Sequence, residues 1–526
     1  MKHGPSIAET LLVSLVAATL AVSTAASADK PNDEPIAGVG AYSLSVPVRD
    51  LPEGSKTTTT PAPSRINPLP HASGSAGSPS GGDFEPDPLI GEPAAGRTPA
   101  RDLIFNGTSN PFACGGCSPP DTIGDVGPNH YIQMVNATKV AIHNKTGALL
   151  RPRFDLGTLW PSGPCTANAG DPVPVYDEIA NRWLLSQFAT PNHLCFAISQ
   201  TANPLGSYHL YTFNVGSFPD YFKVGVWPNG YYVSANESTY TAYAFDRAKM
   251  LAGDPTAGFV KFTGQTNFLL PADVDGPTRP TGGGLFYTFK DGAFHGGSDR
   301  IELFRLTPNF VSPASSSFTL LKTFSVTPFT YTVCGFFLFN CIRQQGTTQR
   351  VDAVSEWPMH RFAYRRFPDR QSLVGNFTVG GGTGETGAAI RWFELRNLGT
   401  TPAGWTLFQQ GTQDQGGVHD RFMGSIAMDE DGNIALGYSV SSSTMFPAIR
   451  YATRQPGDPP GTLEPEKTLK VGNGSQTGSN RWGDYSAMSV DPVTDCQFWY
   501  TNEYYSPSST SNWKTAVGAF TMPGCT

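Results

Sequence analysis

The sequence predicts an all-β protein: a β-propeller of seven four-stranded blades, preceded by a disordered linker. Three observations predict this. Among 526 residues, Gly (57) and Pro (45) are abundant, aromatics make up 12% and charged residues only 15%. That balance favours turn-rich β structure over helices. Stretches of aromatic and β-branched residues bounded by turn residues recur seven times after Leu103, as strands require. A Pro-x7-Asn frame also repeats, at Pro128 to Asn136, Pro228 to Asn236 and Pro368 to Asn376. Pro presets φ, and the Asn or Asp that follows tolerates a turn, so each frame reads as strand, tight turn, strand.

The frame also measures the repeat. Pro128 to Pro228 is 100 residues across two units, and a β-rich repeat of about 50 residues points to propeller blades. Pro228 to Pro368 is 140 residues, because a long insertion around Cys334 and Cys341 follows the fourth unit. A large β-sandwich, the alternative all-β architecture, has no reason to repeat the frame.

In chain order, the N-terminus reads as a signal peptide over residues 1–28. Lys2 and His3 precede an apolar run from Leu11 to Val22, and Ala26-Ser27-Ala28 offers a cleavage site. The run is too short to span a membrane comfortably. Residues 29–102 are rich in Pro, Ser, Gly and Thr, a composition that buries too little apolar surface to offset chain entropy. They read as a tether or pro-region, with Tyr42 to Val48 able to dock as one short strand. The propeller domain is expected over residues 103–526. Its units centre on Asp121–Arg151, Val173–Phe213, Phe222–Asp246, Leu285–Arg305, Ser372–Leu395, Ser425–Tyr451 and Ala487–Phe520.

The eight cysteines suit an oxidising compartment. Four bridges allow 105 connectivities. Short loop closure favours Cys114 with Cys117, Cys165 with Cys195, Cys334 with Cys341, and Cys496 with Cys525. Cys114-Gly-Gly-Cys117 could instead be a redox pair, but no βαβ pattern surrounds it. A zinc ribbon needs a second such pair. The net charge of -7 gives no basic footprint for nucleic acid and no polybasic membrane anchor. In Asp429-Glu-Asp-Gly-Asn433 the Gly stands fourth, whereas a calcium loop of the EF-hand type needs it sixth, so a hairpin turn is expected. No sequence pattern calls for a metal or cofactor. A secreted, periplasmic or surface-displayed monomer is expected.

In a propeller, the residues just ahead of each innermost strand converge on one face, here termed the leading face. In the third and seventh units, Asp220-Tyr221 and Asp484-Tyr485 stand there, and a Pro follows the Asp by eight residues in both. The same count back from Pro368 reaches His360 and Arg361, and from Pro128 it reaches Pro120, beside Asp121. The matching loops elsewhere carry Asp171, Asp273 with Asp275, His419 with Arg421, and Arg481. Lys223 lies just inside the third unit.

From this grouping, Asp220, His360, His419, Asp484 and Tyr485 are candidate acid-base groups, since carboxylates, imidazoles and a phenol in one cleft suit glycoside chemistry. Asp121, Asp171, Lys223, Asp275, Arg361, Arg421 and Arg481 are candidate substrate-binding groups, arginines being suited to clamp a carboxylate or sulfate. Trp227, Trp357 and Trp482 are candidates to stack on sugar rings. The plainer alternative is that these groups cap turns and tie neighbouring blades together. Asn136, Asn236, Asn376 and Asn502 recur at second strands and are expected to serve the scaffold.

Three segments resemble a group of secreted bacterial propeller proteins: Pro119-Pro-Asp-Thr-Ile-Gly-Asp-Val-Gly-Pro-Asn-His-Tyr131, Asn181-Arg-Trp-Leu-Leu-Ser-Gln187 and Arg481-Trp-Gly-Asp-Tyr-Ser486. The resemblance implies fold and export but no chemistry. More distantly, the architecture is similar to sialidase-like propellers and propeller polysaccharide lyases. The sialidase box Ser-x-Asp-x-Gly-x-Thr-Trp is absent, so no catalytic residue carries over.

The functional expectation is binding or cleavage of an extracellular polysaccharide, anionic or neutral, at the leading face. As an enzyme it would be a glycoside hydrolase or polysaccharide lyase. The alternative is a non-catalytic adhesion or envelope module with a glycan or protein ligand.

Overall fold

The repeat forms because each unit supplies strands with one face to bury, and neighbouring units bury them against each other. The computed structural model describes Met1 and residues 34–52, 85–334, 340–399, 401 and 404–525. The expected signal peptide beyond Met1 falls outside these residues. So do 29–33 and 53–84 of the expected linker.

Among the described residues the strands form six sheets, one of eight strands that spans two blades, and together they make seven blades in chain order. Blade 1 opens with Ile123–Val126, blade 2 with Gly170–Asp177 and blade 3 with Asp220–Trp227. Blade 4 opens with Leu270–Asp275, blade 5 with Met359–Arg366, blade 6 with Asp420–Met428 and blade 7 with Ala487–Val490. The frame prolines Pro128, Pro228 and Pro368 all sit in the turn between first and second strands. The opening strands of blades 4 and 5 also pair with each other, in parallel, from Ala272 opposite Phe362 to Asp275 opposite Arg365. Aromatic rings lock blade to blade. Tyr131 stacks on Trp499 at 5.2 Å, Tyr451 on Phe520 at 4.1 Å, and Tyr287 meets Phe393 edge-on at 5.1 Å.

Blade 7 is completed by a strand from the other end of the domain. Leu103–Ser109 pairs antiparallel with Trp513–Thr521, so the last blade closes on the first strand of the domain.

Two parts of the stretch read as a linker lie on the blades instead. Ile36–Val39 adds a fifth strand to blade 3 and Ala41–Leu44 a fifth strand to blade 2, two strands where one was expected. The close approach needs glycine. A Cβ on Gly38 would come within 2.7 Å of the Phe259 ring, and one on Gly40 within 2.6 Å of Phe213. Residues 85–102 run along blades 5 and 6. They are pinned by the buried Asp87–Arg391 ion pair at 2.6 Å and by the Ala94 N–H on the Leu463 carbonyl.

The disulfides are Cys114–Cys117, Cys165–Cys195, Cys334–Cys341 and Cys496–Cys525, the pairing that short loop closure favours. They fit an oxidising environment. Among the described residues, no helix is long and apolar enough to cross a membrane.

Candidate functional site

The opening strands of blades 2, 3, 5 and 6 break register just inside the leading face, between Gly170 and Val173, Asp220 and Lys223, Met359 and Ala363, and Phe422 and Ser425. Such a bulge re-aims side chains at a strand end. Asp171, Tyr221 and Met423 hold it with φ of 47°, 52° and 54°, a region non-glycine residues rarely adopt.

Backbone N–H groups at and near the opening strands are bonded from the neighbouring blade. Asp171 Oδ2 accepts the Tyr221 N–H at 3.0 Å, and Asp121 Oδ1 accepts the Asp484 N–H at 2.9 Å. Asp273 Oδ1 accepts from Val226, and Asp125 Oδ2 from Tyr176. Carboxylates at the blade openings therefore serve as ties between blades. Asn136 supports this by donating to Asp121 Oδ2 at 2.7 Å. Asn502 likewise accepts the Glu503 N–H and donates to Ser439.

At the centre stands Lys223, with no exposed surface. Its Nζ donates to the Tyr221 and Phe222 carbonyls, both at 3.2 Å. It sits 3.5 Å from the Tyr221 ring centre and 4.0 Å from that of Tyr485, an aromatic clasp for a cation. Burial pulls its pKa down to about 8, against the upward pull of Asp171, Asp484, Asp121 and Asp220. Burial first, and repulsion from Asp171 and Asp484 second, hold Asp121 and Asp220 well above the usual carboxylate range. Asp171 is raised to about 6 by burial, with Lys223 opposing. Arg481 pairs with Asp484. Tyr485 is pushed well up by burial, then by Asp171, Asp121 and Asp484. His360, buried near Arg361 and Lys223, is held well below its ordinary value and stays neutral. Residues from five blades thus meet, as the repeat predicts: Asp121, Asp171, Asp220, Lys223, His360, Arg481, Asp484 and Tyr485.

Four others stand apart. Arg361 donates to Asp273 through Nε at 3.0 Å and Nη2 at 2.8 Å, and it also pairs with Asp275. All three belong to the joined opening strands of blades 4 and 5. Arg421 turns to Asp414 at 3.1 Å and Glu466 at 2.9 Å. His419 lies beside it, half-buried, with Nδ1 3.0 Å from Ser442 Oγ.

The central cluster is roofed. Residues 326–334 and 340–358, the described parts of the insertion between blades 4 and 5, cross the leading face. Trp357 packs on Tyr221 and Phe268, both at 4.9 Å, and on Tyr240 at 5.8 Å. The Asp352 N–H bonds the Asn480 carbonyl, and Gln344 exchanges hydrogen bonds with the backbone of Gln476. Thr386 holds the Cys341 carbonyl, and Ser441 that of Arg343. The insertion thus reaches blades 3, 5, 6 and 7. Trp227, Trp357 and Trp482 are all buried, so none presents a face to a sugar. The roof also brings carboxylates that sequence reasoning missed: Asp352, raised by burial to about 6, and Glu356, raised by burial to about 8. Their signal was available, because the insertion runs directly into the opening strand of blade 5 and must therefore end at the leading face.

The open part of this face has a different lining. Asn340, Thr347, Thr348, Gln349 and Arg350 of the insertion, with Thr477, surround a cavity of about 460 Å³. Among the described residues, no group of three or more His, Cys, Asp or Glu is arranged to hold a metal ion.

No protein-family profile matches the chain, and no curated protein matches it in sequence. Solved structures that it is similar to include the Dos1 propeller, at 11% identity and a TM-score of 0.35, over 80% of this chain and 94% of that one. Another is the WD40 domain of SCAP from fission yeast, at 9% identity and a TM-score of 0.32, over 79% and 98%. A third is an alpha-L-arabinofuranosidase from Lactobacillus brevis, at 11% identity and a TM-score of 0.30, over 66% and 94%. At these scores they assign no activity or ligand to this chain, and the blade topology itself identifies the propeller.

Proposed function

We propose that this protein is an exported, non-catalytic glycan-binding propeller, which meets its ligand on the open, polar part of the leading face. One observation carries the reading. The groups with acid-base potential, Asp220, Asp484, Tyr485 and His360, are buried beneath the insertion, and their neighbours Asp121 and Asp171 hold backbone N–H groups of adjacent blades. A catalytic acid or base must reach the proton it moves, and a polysaccharide has no path to these groups. What the face offers to solvent is hydroxyl, amide and guanidinium chemistry, suited to polyhydroxylated ligands. The signal-like N-terminus and four disulfides support export.

The test is migration of the purified chain through gels containing neutral or uronate polysaccharides. Reducing ends and the absorbance of unsaturated products are followed in parallel. Saturable retardation without product is expected; turnover on any polymer would overturn the binding-only reading. A second reading, cleavage, is favoured by the gathering of Asp121, Asp171, Asp220 and Asp484 around Lys223, because perturbed titratable clusters mark active sites. It requires the roof to lift, and it predicts that Asp220→Asn abolishes any product found.

A further inference from the structure

The arginines of the leading face divide into two sets. Arg361, Arg421 and Arg481 are engaged with carboxylates. Arg343 and Arg350, on the insertion, are exposed. Among the described residues, they accept hydrogen bonds at their backbone carbonyls, from Ser441 Oγ and Gln349 Nε2, and their guanidinium groups enter no hydrogen bond or ion pair. Of the described carboxylates of the insertion, Asp352 is buried near Arg481 and Asp484 of the central cluster, and Glu356 is half-buried near Asp352. Glu385, on the loop whose Thr386 holds the insertion, is engaged with the N–H and hydroxyl of Ser443. On a protein of net charge -7, this face therefore carries unpaired positive charge beside an open cavity.

Arg350 lines that cavity and Arg343 does not. The remaining lining is uncharged. Asn340, Thr348 and Thr477 are exposed, and each carries a side-chain donor and acceptor. A fork of N–H groups matches a carboxylate in two parallel hydrogen bonds. The hydroxyls and amides around it match the ring hydroxyls of a sugar, and no carboxylate in the lining competes for the arginine.

We infer that this cavity is a subsite for a carboxylated sugar, with Arg350 gripping the carboxylate and the Asn340, Gln349 and Thr477 side chains contacting its hydroxyls. The inference rests on the glycan-binding reading and narrows it to uronate-bearing polymers.

The experiment titrates the full exported chain with polygalacturonate and with the same polymer after carboxyl reduction, at low and at physiological salt. Arg350→Gln and Arg343→Gln are compared, with thermal unfolding confirming that both variants fold. Polygalacturonate is expected to bind at least about tenfold more tightly than the reduced polymer. Arg350→Gln should lose about tenfold or more of that affinity, the loss of a charge-assisted pair. Arg343→Gln removes the same charge outside the cavity and should cost less than about threefold, a surface-field effect. Equal binding of both polymers, or equal losses in the two variants, would overturn the subsite while leaving glycan binding standing. Failure to bind either polymer, with no neutral glycan bound in the gel assay, would overturn both.

Discussion

Two regions of the leading face are both built from polar side chains and put them to opposite uses. In the central cluster, Asp, Lys and Tyr are buried, and Asp121 and Asp171 hold backbone N–H groups of neighbouring blades. On the outer surface of the insertion, Arg, Asn, Gln and Thr face solvent around a cavity. Burial makes the difference. A buried charge must be paired or hydrogen-bonded to be tolerated, so the central groups hold the blades together and are closed to ligand. An exposed guanidinium keeps its hydration until a ligand replaces it. What separates the two regions is the insertion, whose inner side faces one and whose outer side forms the other.

If the central groups act as scaffold, pH should move stability through them. Asp121, Asp220 and Glu503 are held well up by burial, Asp125 is raised to about 7 and Glu356 to about 8. The unfolded chain has released these protons near pH 4. Between pH 6.5 and 8 the native state therefore holds more protons than the unfolded one. Stability should fall as pH rises, by up to about 1.4 kcal/mol per pH unit for each proton so held. Below about pH 6.5, buried neutral His360 works the other way, because the unfolded chain gains a proton there that the native state refuses. Denaturant midpoints measured across pH 5–8 should rise toward the acid end, because the five raised carboxyls outweigh the single imidazole. A flat profile would show that the buried charges do not contribute as described.

Arg361→Met should follow in size. It leaves Asp273 and Asp275 buried without their cation, at a cost of about 3–5 kcal/mol in chemical denaturation. Trp357→Ala opens a void between the roof and Tyr221, costing roughly 3–4 kcal/mol. It should also speed proteolysis within the insertion relative to the blades. Replacing Cys334 and Cys341 together with Ser removes a short cross-link worth about 2–3 kcal/mol, with the loss again confined to the insertion. Arg350→Gln should change stability by less than about 0.5 kcal/mol, as an unpaired surface residue does, while weakening polyuronate binding. A large stability loss there would erase the contrast between the two regions.

Much of the fold could be read because its determinants are local. Pro128, Pro228 and Pro368 mark the same turn in three blades, and the turn sets the register of the strands around it. The convergence of Asp121, Asp171, Asp220, Lys223, Asp484 and Tyr485 could be read from the same repeat. Their burial could not, because it depends on residues 326–334 and 340–358, which follow no repeat and reach blades 3, 5, 6 and 7. His419 and Arg421 hold the repeat position expected of them, yet their side chains turn to Ser442, Asp414 and Glu466, partners set by strand ends and loops of blades 5 and 6. Of the two N-terminal strands, Ala41–Leu44 overlaps the segment expected to dock from Tyr42, whereas Ile36–Val39 is hidden by composition. Gly38 and Gly40 look like linker residues, and only the rings of Phe259 and Phe213 beneath them explain why glycine is needed.

The closure of blade 7 by Leu103–Ser109 constrains how the chain is built. The segments from Ile36 to Leu44 and from Asp87 to Ser109 are synthesised before any blade they lie on, and each must wait for its partner strand. The wait is longest for Leu103–Ser109, whose partner lies at the very end of the chain. An early segment rich in bare β-pairing edges would invite association between nascent chains. Until Trp513–Thr521 is made, Leu103–Ser109 has no partner strand and blade 7 stays incomplete.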